Sequence, residues 1–183
     1  MRELPLPTDI LALADTHLAA GQADRLLERI AGAARSAELI LHAGDITDRS
    51  ILEALRSLVP SGCVHAVRGN NDVDLDDLPE RLTFDVDGCR VAMVHDGGPA
   101  AGRARRLRTW FADADLVVFG HSHLPWHETD ERDGDGHVQH QLNPGSAMLR
   151  RRAPSCSVAH IVVAGGSVAA VHHVAVGPAG RRP

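Results

Sequence analysis

The stretch LALADTHLAA, residues 11–20, decides the fold and raises the question of function. It begins as an apolar run typical of a buried strand and ends in Asp15 and, two residues later, His17. Residues two apart on an extended chain point to the same side. The end of the strand therefore presents a carboxylate and an imidazole together, which either cap the turn into the next helix or hold a ligand.

Beyond this stretch, strand and helix patterns alternate. Helical periodicity covers residues 22–35 and 50–58, and the runs ELILHAG (38–44) and CVHAVRG (63–69) are typical of buried strands. The resulting order, β-α-β-α-β, predicts parallel strands with right-handed crossover connections.

The second half of the chain adds hairpins. Asp87-Gly88 predicts a two-residue turn between LTFDV and RVAMVH. Further predicted elements are a helix over 99–112, a strand at DLVVFG, a hairpin with a polar tip at 132–136, and a last hairpin turning at Gly165-Gly166. Mixed parallel and antiparallel strands predict two sheets face to face, covered outside by helices.

Length and composition suit one soluble domain. The 183 residues predict a single domain over 1–183, with a disordered tail from about residue 177. The net charge of -5 argues against an extended groove for nucleic acid, and no apolar run is long enough for a membrane span. Three widely spaced cysteines without a C-x-x-C pattern indicate neither a disulfide framework nor a thiolate zinc site. We expect a cytoplasmic protein.

Polar residues recur where the predicted strands end. They are Asp15 and His17, Asp45 and Asp48, Asn70, Asn71 and Asp72, His95, His121 and His123, and the NPGS motif of residues 143–146. Each has a structural alternative: Asp45 could be a turn residue, Asp48 a helix N-cap, and a single histidine a packed core residue.

Together these residues indicate a metal centre. Ligands gather outside the carboxyl ends of parallel strands, where seven nitrogen and oxygen donors fall here. A set with no thiolate and a carboxylate available for bridging fits two divalent ions, with Mn preferred and Fe, Zn or Ni as alternatives. Two such ions can hold a bridging hydroxide and clamp a phosphoryl group, which implies phosphoester hydrolysis.

The ordered motifs D-x-H, G-D-x-x-D, G-N-x-D, a strand-end histidine and G-H-x-H resemble the calcineurin-like metallophosphoesterase superfamily. The short chain and the NPGS motif are similar to its small prokaryotic phosphodiesterase branch. The resemblance spans residues 15–146. It implies an α/β fold, namely a four-layer α-β-β-α sandwich of two mixed sheets with outer helices.

The resemblance also implies ligand sets. One ion would be held by Asp15, His17, Asp45 and His123, and the other by Asp45, Asn70, His95 and His121. Asp45 would bridge the two. The catalytic set would comprise Asp45, Asn70, Asn71 and Asp72, with Asp48 and Asp72 supporting the ligands or capping turns, and with Asn71 and Arg150 contacting substrate.

Two positions depart from the family pattern. Many members carry a histidine after the metal-binding asparagine, where it can protonate the leaving group, but this chain has Asn71. An amide can donate a hydrogen bond but cannot act as a general acid. The small branch also often has His-Gly-His after its hairpin, whereas His95 is followed here by Asp96 and Gly97.

These features predict a dinuclear metal-dependent phosphodiesterase that uses a metal-bridging hydroxide. A phosphomonoesterase remains the alternative enzyme, because the metal set does not distinguish the substrates. A non-catalytic scaffold, as in the retromer subunit that resembles this fold, is the alternative of another class. The expected partner is a phosphodiester substrate, and homo-oligomerisation stays open.

Overall fold

The computed structural model describes residues 6–131 and 136–177, which form two five-stranded sheets. The strands are β1 (Thr8–Leu13), β2 (Leu39–His42), β3 (Val64–Ala66), β4 (Arg81–Val86), β5 (Cys89–Val94), β6 (Leu116–Phe119), β7 (Trp126–Glu131), β8 (Val138–Asn143), β9 (Cys156–Ala164) and β10 (Ser167–Val176). The first sheet has the order β10-β9-β1-β2-β3 and the second β4-β5-β6-β8-β7. Most of the predicted disordered tail and hairpin tip lies outside the described residues.

Both sheets are mixed, as the sequence predicts. In the first, β1, β2 and β3 are parallel, with Ile10 opposite Leu39, and β9 runs antiparallel beside β1. In the second, β4 and β5 form the predicted hairpin, in which Val86 pairs with Cys89 across the Asp87-Gly88 turn. Strand β6 then lies parallel to β5 and β8.

Three helices of the described chain cover the sheets. They are α1 (Ala23–Ile30), α2 (Arg49–Arg56) and α3 (Arg103–Trp110). The sequence predicts longer helices at the first and third positions. After Ile30 the chain continues as turns, where Gly32 lowers helix propensity, and α3 starts only after Gly102, whose backbone is left-handed with φ +70°.

Three buried apolar clusters separate four layers. Leu26, Ile30 and Ile51 of α1 and α2 pack on the outer face of the first sheet. A second cluster fills the space between the sheets, and Leu107 of α3 packs with Phe119 on the outer face of the second sheet. This arrangement confirms the predicted α-β-β-α sandwich. No helix in the described ranges has the length and apolar character needed to cross a membrane.

Candidate metal centre

Seven polar side chains converge where strands of both sheets end. Asp15 and His17 follow β1, Asp45 follows β2, Asn70 follows β3, His95 follows β5, and His121 and His123 follow β6. The structure thus brings together all seven residues that the sequence analysis proposes as metal ligands. Four come from the first sheet and three from the second, so the centre lies across the junction of the sheets.

The first group of donors comes from Asp15, His17 and His123. The Nε2 atoms of the two histidines are 3.2 Å apart, and the rings are stacked with centroids 5.1 Å apart. Asp15 Oδ1 lies 3.4 Å from His123 Nε2 and 4.0 Å from His17 Nε2. Two imidazole nitrogens and a carboxylate oxygen therefore point at one small volume.

The second group comes from Asn70, His95 and His121. Asn70 Oδ1 lies 3.1 Å from His95 Nε2 and 3.0 Å from His121 Nδ1. The amide oxygen is thus flanked by one nitrogen from each histidine. His121 presents its Nδ1 atom, whereas the other three histidines of the centre present Nε2.

Asp45 lies between the two groups. Its Oδ2 atom is 3.4 Å from His17 Nε2, and its Oδ1 atom is 3.5 Å from His95 Nε2. The two oxygens of one carboxylate therefore face different donor groups, as a bridging ligand requires.

The donor set fits divalent ions. Two donors bound to one ion at about 2.0 to 2.2 Å lie about 3.0 to 3.5 Å from each other, and most contacts above fall in that range. Asp15 Oδ2 is buried and has no hydrogen-bond partner among the described residues. Such an atom is costly unless something satisfies it, and a cation would do so.

Backbone carbonyls orient two of the histidines. His95 Nδ1 lies 2.8 Å from the Ala43 carbonyl, and His123 Nδ1 lies 2.8 Å from the Leu149 carbonyl. A carbonyl only accepts, so each Nδ1 must carry the proton, and in a neutral ring Nε2 keeps its lone pair. These contacts direct both Nε2 lone pairs into the centre, as outer partners of metal-bound histidines do.

The two carboxyl groups of the centre have opposite pKa shifts. Burial raises the pKa of Asp15 to about 7 despite the nearby His95. Burial also opposes ionisation of Asp45, but hydrogen bonds from His95 and Asn71 outweigh it and hold the Asp45 pKa below its usual value. Asp45 is therefore ionised at neutral pH, whereas Asp15 is only part ionised until a positive charge arrives.

The histidines of the two donor groups have pKa values shifted in different directions. Burial lowers the pKa of His17 and of His123, so both rings are neutral donors. For His95, burial is outweighed by the hydrogen bond to Asp45, and its pKa is raised. Because a bound ion needs the Nε2 lone pair, the raised pKa of His95 makes ion binding at the second group dependent on pH.

Five of the seven side chains come from residues with left-handed backbone. Their φ angles are 54° for Asp15, 48° for His17, 58° for Asp45, 69° for His121 and 60° for His123. Non-glycine residues seldom adopt this region, although Asp and His enter it more readily than most. The surrounding fold holds this backbone strain at the centre. Sequence reasoning missed it, because alternation along a strand says nothing about the turn that follows.

Close backbone approach supports Asp45 and His95. A Cβ atom on Gly44 would lie 2.7 Å from His95 Nδ1 and 2.8 Å from the Gly69 nitrogen, and the φ of Gly44 is +88°. A Cβ on Gly69 would overlap the backbone and carboxylate of Asp45. The glycines of G-D-x-x-D and G-N-x-D are thus needed for space.

Asp72 organises the loops that carry the donors. Its carboxylate accepts from the backbone N–H groups of Asp45 (2.9 Å), Ile46 (2.7 Å), Thr47 (2.7 Å) and Gly69 (2.7 Å). The sequence analysis placed Asp72 in the catalytic set and also considered it as a support for the ligands or a turn cap. Of these roles, the geometry favours support of the ligand loops.

Asp48 is the N-cap of α2, as predicted, and its side chain accepts from the Ser50 N–H at 2.9 Å.

Two predicted substrate contacts have different surroundings. Asn71 is exposed, and both its backbone N–H and its side-chain Nδ2 donate to Asp45, at 2.9 and 2.7 Å. Arg150 donates from Nη1 to the Ala153 carbonyl at 3.2 Å. The positive charge of its neighbour Arg151 acts on Asp15 and on both histidines of the first donor group. The Arg151 charge therefore acts on the first donor group.

Several supporting residues surround the donors, and sequence reasoning assigned no role to Ser146 and Asn143 among them. Ser146 Oγ donates to the Asp15 carbonyl at 2.7 Å and accepts from the Leu149 N–H, which links NPGS to the first donor group. Asn143 Nδ2 donates to the Gly120 carbonyl at 2.7 Å. His42 is buried against Thr16 Oγ1, and burial lowers its pKa to about 4. The NPGS motif was the available signal for the first two.

Comparisons with known proteins show similarity to one family over most of the chain. A model described as the calcineurin-like phosphoesterase superfamily domain matches residues 9–166. A probable metallophosphoesterase of Methanothermobacter thermautotrophicus is 34% identical over 153 residues, covering 81% of this chain and 83% of the relative. The sequence similarity thus extends over most of both proteins.

Solved structures share the fold at lower identity. A conserved uncharacterized protein of Streptococcus pneumoniae, described as a predicted phosphoesterase, has a TM-score of 0.65 at 20% identity and covers 95% of each chain. Vps29 of Entamoeba histolytica, solved in complex with zinc, has a TM-score of 0.60 at 23% identity and covers 92% of this chain and 99% of its own. With the family match over most of its length, the chain belongs to the calcineurin-like phosphoesterase superfamily.

Proposed function

We propose that this protein is a dinuclear metal-dependent phosphodiesterase. The observation that carries the proposal is the position of Asp45, whose two carboxylate oxygens face separate donor groups at 3.4 and 3.5 Å. A carboxylate with a purely structural role would need hydrogen bonds from one set of neighbours only. A carboxylate shared by two sets of nitrogen and oxygen donors supports a pair of ions.

The first ion would be held by Asp15, His17, Asp45 and His123, and the second by Asp45, Asn70, His95 and His121. When bound, two divalent ions would supply positive charge at the phosphoryl oxygens and lower the pKa of a water for attack on phosphorus. The absence of thiolates from the set supports Mn, with Fe, Zn or Ni as alternatives.

The protein's own groups have distinct tasks in this proposal. Ala43 and Leu149 fix the rings of His95 and His123 through their carbonyls. Asn71 holds Asp45 through two hydrogen bonds and lies exposed at the centre, where its amide can donate to a phosphoryl oxygen. The residue directly after Asn70 is Asn71 and not a histidine, so no imidazole at this position can protonate a leaving group.

The choice of a diester rests on the resemblance to the small prokaryotic branch. The donor set would also accept a monoester, so a phosphomonoesterase is the alternative enzyme. A binding scaffold is the alternative outside enzymes, because the structures that share this fold include Vps29 as well as a predicted phosphoesterase. The complete set of seven donors in this chain favours catalysis.

The test combines metal analysis with matched substrates. Purified protein is stripped with chelator, reloaded with Mn, Fe, Zn or Ni, and assayed on bis(4-nitrophenyl) phosphate and 4-nitrophenyl phosphate. We expect two ions per chain, loss of hydrolysis on stripping, recovery on reloading, and faster turnover of the diester. Full activity in metal-free protein would exclude the mechanism, and faster monoester turnover would favour the alternative enzyme. Metal binding without turnover of either ester would favour a scaffold.

A further inference from the structure

A cavity of about 420 Å³ opens beside the second donor group. Asn70 and His95 form part of its wall, so a phosphoryl group at the metal centre would have one ester arm directed into it. The remaining wall includes Arg68 and Arg81, Glu80 and Asp96. A volume of this size suits a small organic group.

The charges around this cavity are mixed. Asp72 also lines it, but its oxygens accept four backbone N–H groups and are not free for a ligand. Arg68 donates to Glu80 at 2.7 Å. A strongly anionic arm would meet Glu80 and Asp96, and a cationic arm would meet two guanidinium groups. The lining therefore disfavours an arm with a net charge of either sign.

One carboxylate and one guanidinium group of the cavity wall keep free hydrogen-bonding capacity. Asp96 accepts the Gly98 N–H through Oδ1 at 2.7 Å, and no described side chain donates to Oδ2. The Arg81 guanidinium is held 4.3 Å from the ring centroid of Trp110, and no carboxylate pairs with it within residues 6–131 and 136–177. Stacking on an aromatic ring leaves the N–H edge of a guanidinium free to donate.

Apolar surface completes the cavity. Val73 is 80% exposed at its wall, and Val94, opposite Arg81 in the β4–β5 pairing, also lines it. A neutral ring that carries hydroxyl groups matches this combination. Its hydroxyls can donate to carboxylates and accept from guanidinium groups, while its carbon face packs on valine.

We propose that this cavity binds a sugar ring, ribosyl or glycosyl, on one arm of the substrate. The proposal rests on the proposed function and names the substrate class of the same centre. Asp96 and Arg81 are its specificity-determining residues. Asp96 occupies the position where the small branch often has the glycine of His-Gly-His. In this proposal, that replacement serves substrate recognition.

The first experiment measures binding, so it does not depend on turnover. Mn-loaded protein is titrated by calorimetry with methyl ribofuranoside 5-phosphate and with cyclopentylmethyl phosphate, which keeps the ring and lacks the hydroxyls. We expect the sugar phosphate to bind roughly tenfold more tightly, since one or two net hydrogen bonds are worth that factor. Equal affinities would overturn the proposal.

Variants of the cavity wall test whether the preference for the sugar phosphate arises there. Asp96→Ala and Arg81→Ala should each remove most of the difference between the two ligands, and Asp96→Asn, which keeps an acceptor for Gly98, should retain part of it. Asp74→Ala is the matched control, because Asp74 is an exposed acid that does not line the cavity. A preference that survives both alanine variants would place sugar recognition elsewhere and overturn the assignment.

A kinetic comparison separates this proposal from the proposed function and identifies the sugar. The substrates are 4-nitrophenyl diesters with the same leaving group and a uridine, glucose or cyclohexylmethyl arm. Preference for one sugar arm, expressed mainly in KM, supports the proposal and tells ribosyl from glycosyl. Equal hydrolysis of all three overturns it and leaves the phosphodiesterase standing. Hydrolysis of none, with sugar binding intact by calorimetry, contradicts the phosphodiesterase alone.

Discussion

At the scale of single residues, Asp45 and Asp48 have different surroundings, although only three positions separate them in the sequence. Asp45 is buried and faces histidines of both donor groups, whereas Asp48 accepts from Ser50 at the start of α2. Asp45→Asn keeps the size of the side chain and removes the shared negative charge. We expect it to fold, to lose bound metal and to lose at least about a hundredfold in kcat.

Asp48→Ala is the control for that variant. It removes a helix cap and no metal donor, so metal content and kcat should stay near wild type while thermal stability falls modestly. Metal content by elemental analysis and circular dichroism melts decide the comparison. Wild-type rates in both variants would show that Asp45 is not a bridging ligand.

The raised pKa of Asp15 predicts an unusual dependence of stability on pH. Burial raises this pKa from 3.8 in the unfolded chain to about 7, so the folded metal-free protein holds a proton that the unfolded chain has released. The unfolded state then binds fewer protons, and this group makes stability fall as pH rises from 3.8 to about 7. Urea unfolding across this window should show a smaller decline for Asp15→Asn than for wild type.

Metal provides the control for this prediction. A bound cation favours the ionised carboxylate, so Mn should stabilise wild type more at the upper end of the window than at the lower end. Asp15→Asn should lose much of that pH dependence. Identical pH profiles for metal-free wild type and variant would mean that Asp15 is already ionised by other contacts.

Asn71 predicts how rate depends on the leaving group. In-line displacement at phosphorus builds negative charge on the departing oxygen, and a positioned acid typically contributes about 10² to 10⁴-fold by protonating it. With an amide at this position, aryl diesters should be cleaved much faster than alkyl diesters. Asn71→His should help alkyl diesters most and flatten the plot of log kcat against leaving-group pKa. A shallow plot for wild type, with chemistry rate-limiting, would show that another residue already acts as the acid.

At the scale of elements, the turns after the strands carry the centre, and glycine sets their geometry. Gly44 has φ +88°, and any side chain there would meet His95 and Gly69. Gly44→Ala should therefore displace Asp45 or His95 and lower metal affinity by at least about tenfold, with lower stability. Gly32→Ala is the matched control, since a Cβ at Gly32 meets nothing within 4 Å and its backbone is not left-handed.

Competition with a metallochromic chelator measures the affinities of both glycine variants. Gly32→Ala should keep wild-type affinity. Equal affinities for Gly44→Ala and Gly32→Ala would mean that the β2 turn adapts without moving its donors.

Elements were predictable to different degrees for physical reasons. Apolar runs and turn residues predicted the strands, because a buried strand and an Asp-Gly turn each need particular residue types. Helix ends were not predictable in the same way. Helix α1 ends before Gly32, which is a poor helix former, and α3 starts only after Gly102, whose backbone is left-handed. The left-handed backbone of the proposed ligands depends on contacts between distant segments that no local sequence pattern records. The same holds for the four backbone N–H groups that donate to Asp72.

At the scale of the whole molecule, the donors come from both sheets, and the resemblance predicted their grouping better than single motifs could. Each histidine alone is more typical of a packed structural residue than of a metal ligand. The ordered set becomes informative because the sandwich brings the ends of β1, β2, β3, β5 and β6 to one place. The cavity beside Asn70 and His95 was not predictable, since its wall combines side chains from separate loops and strands.

Because the centre lies across the junction of the sheets, packing between the sheets should be coupled to metal binding. Leu41 of β2 is fully buried between the sheets, whereas Leu11 of β1 is fully buried against the helix layer. Leu41→Ala and Leu11→Ala should each cost about 2 to 5 kcal/mol in the free energy of unfolding. Relaxation around Leu41→Ala also changes the spacing of the sheets, and with it the distance from Asp45 to His95.

The increase in unfolding free energy on adding Mn reports metal affinity through linkage. Urea titrations with chelator and with a fixed Mn concentration give this increase for each protein. We expect it to match wild type in Leu11→Ala and to be smaller in Leu41→Ala, because only the latter loosens the spacing between donors of the two sheets. If both variants keep the full increase, the turns hold the donors independently of the core between the sheets. A loss in Leu11→Ala equal to that in Leu41→Ala would instead mean that general destabilisation, and not sheet spacing, controls metal affinity.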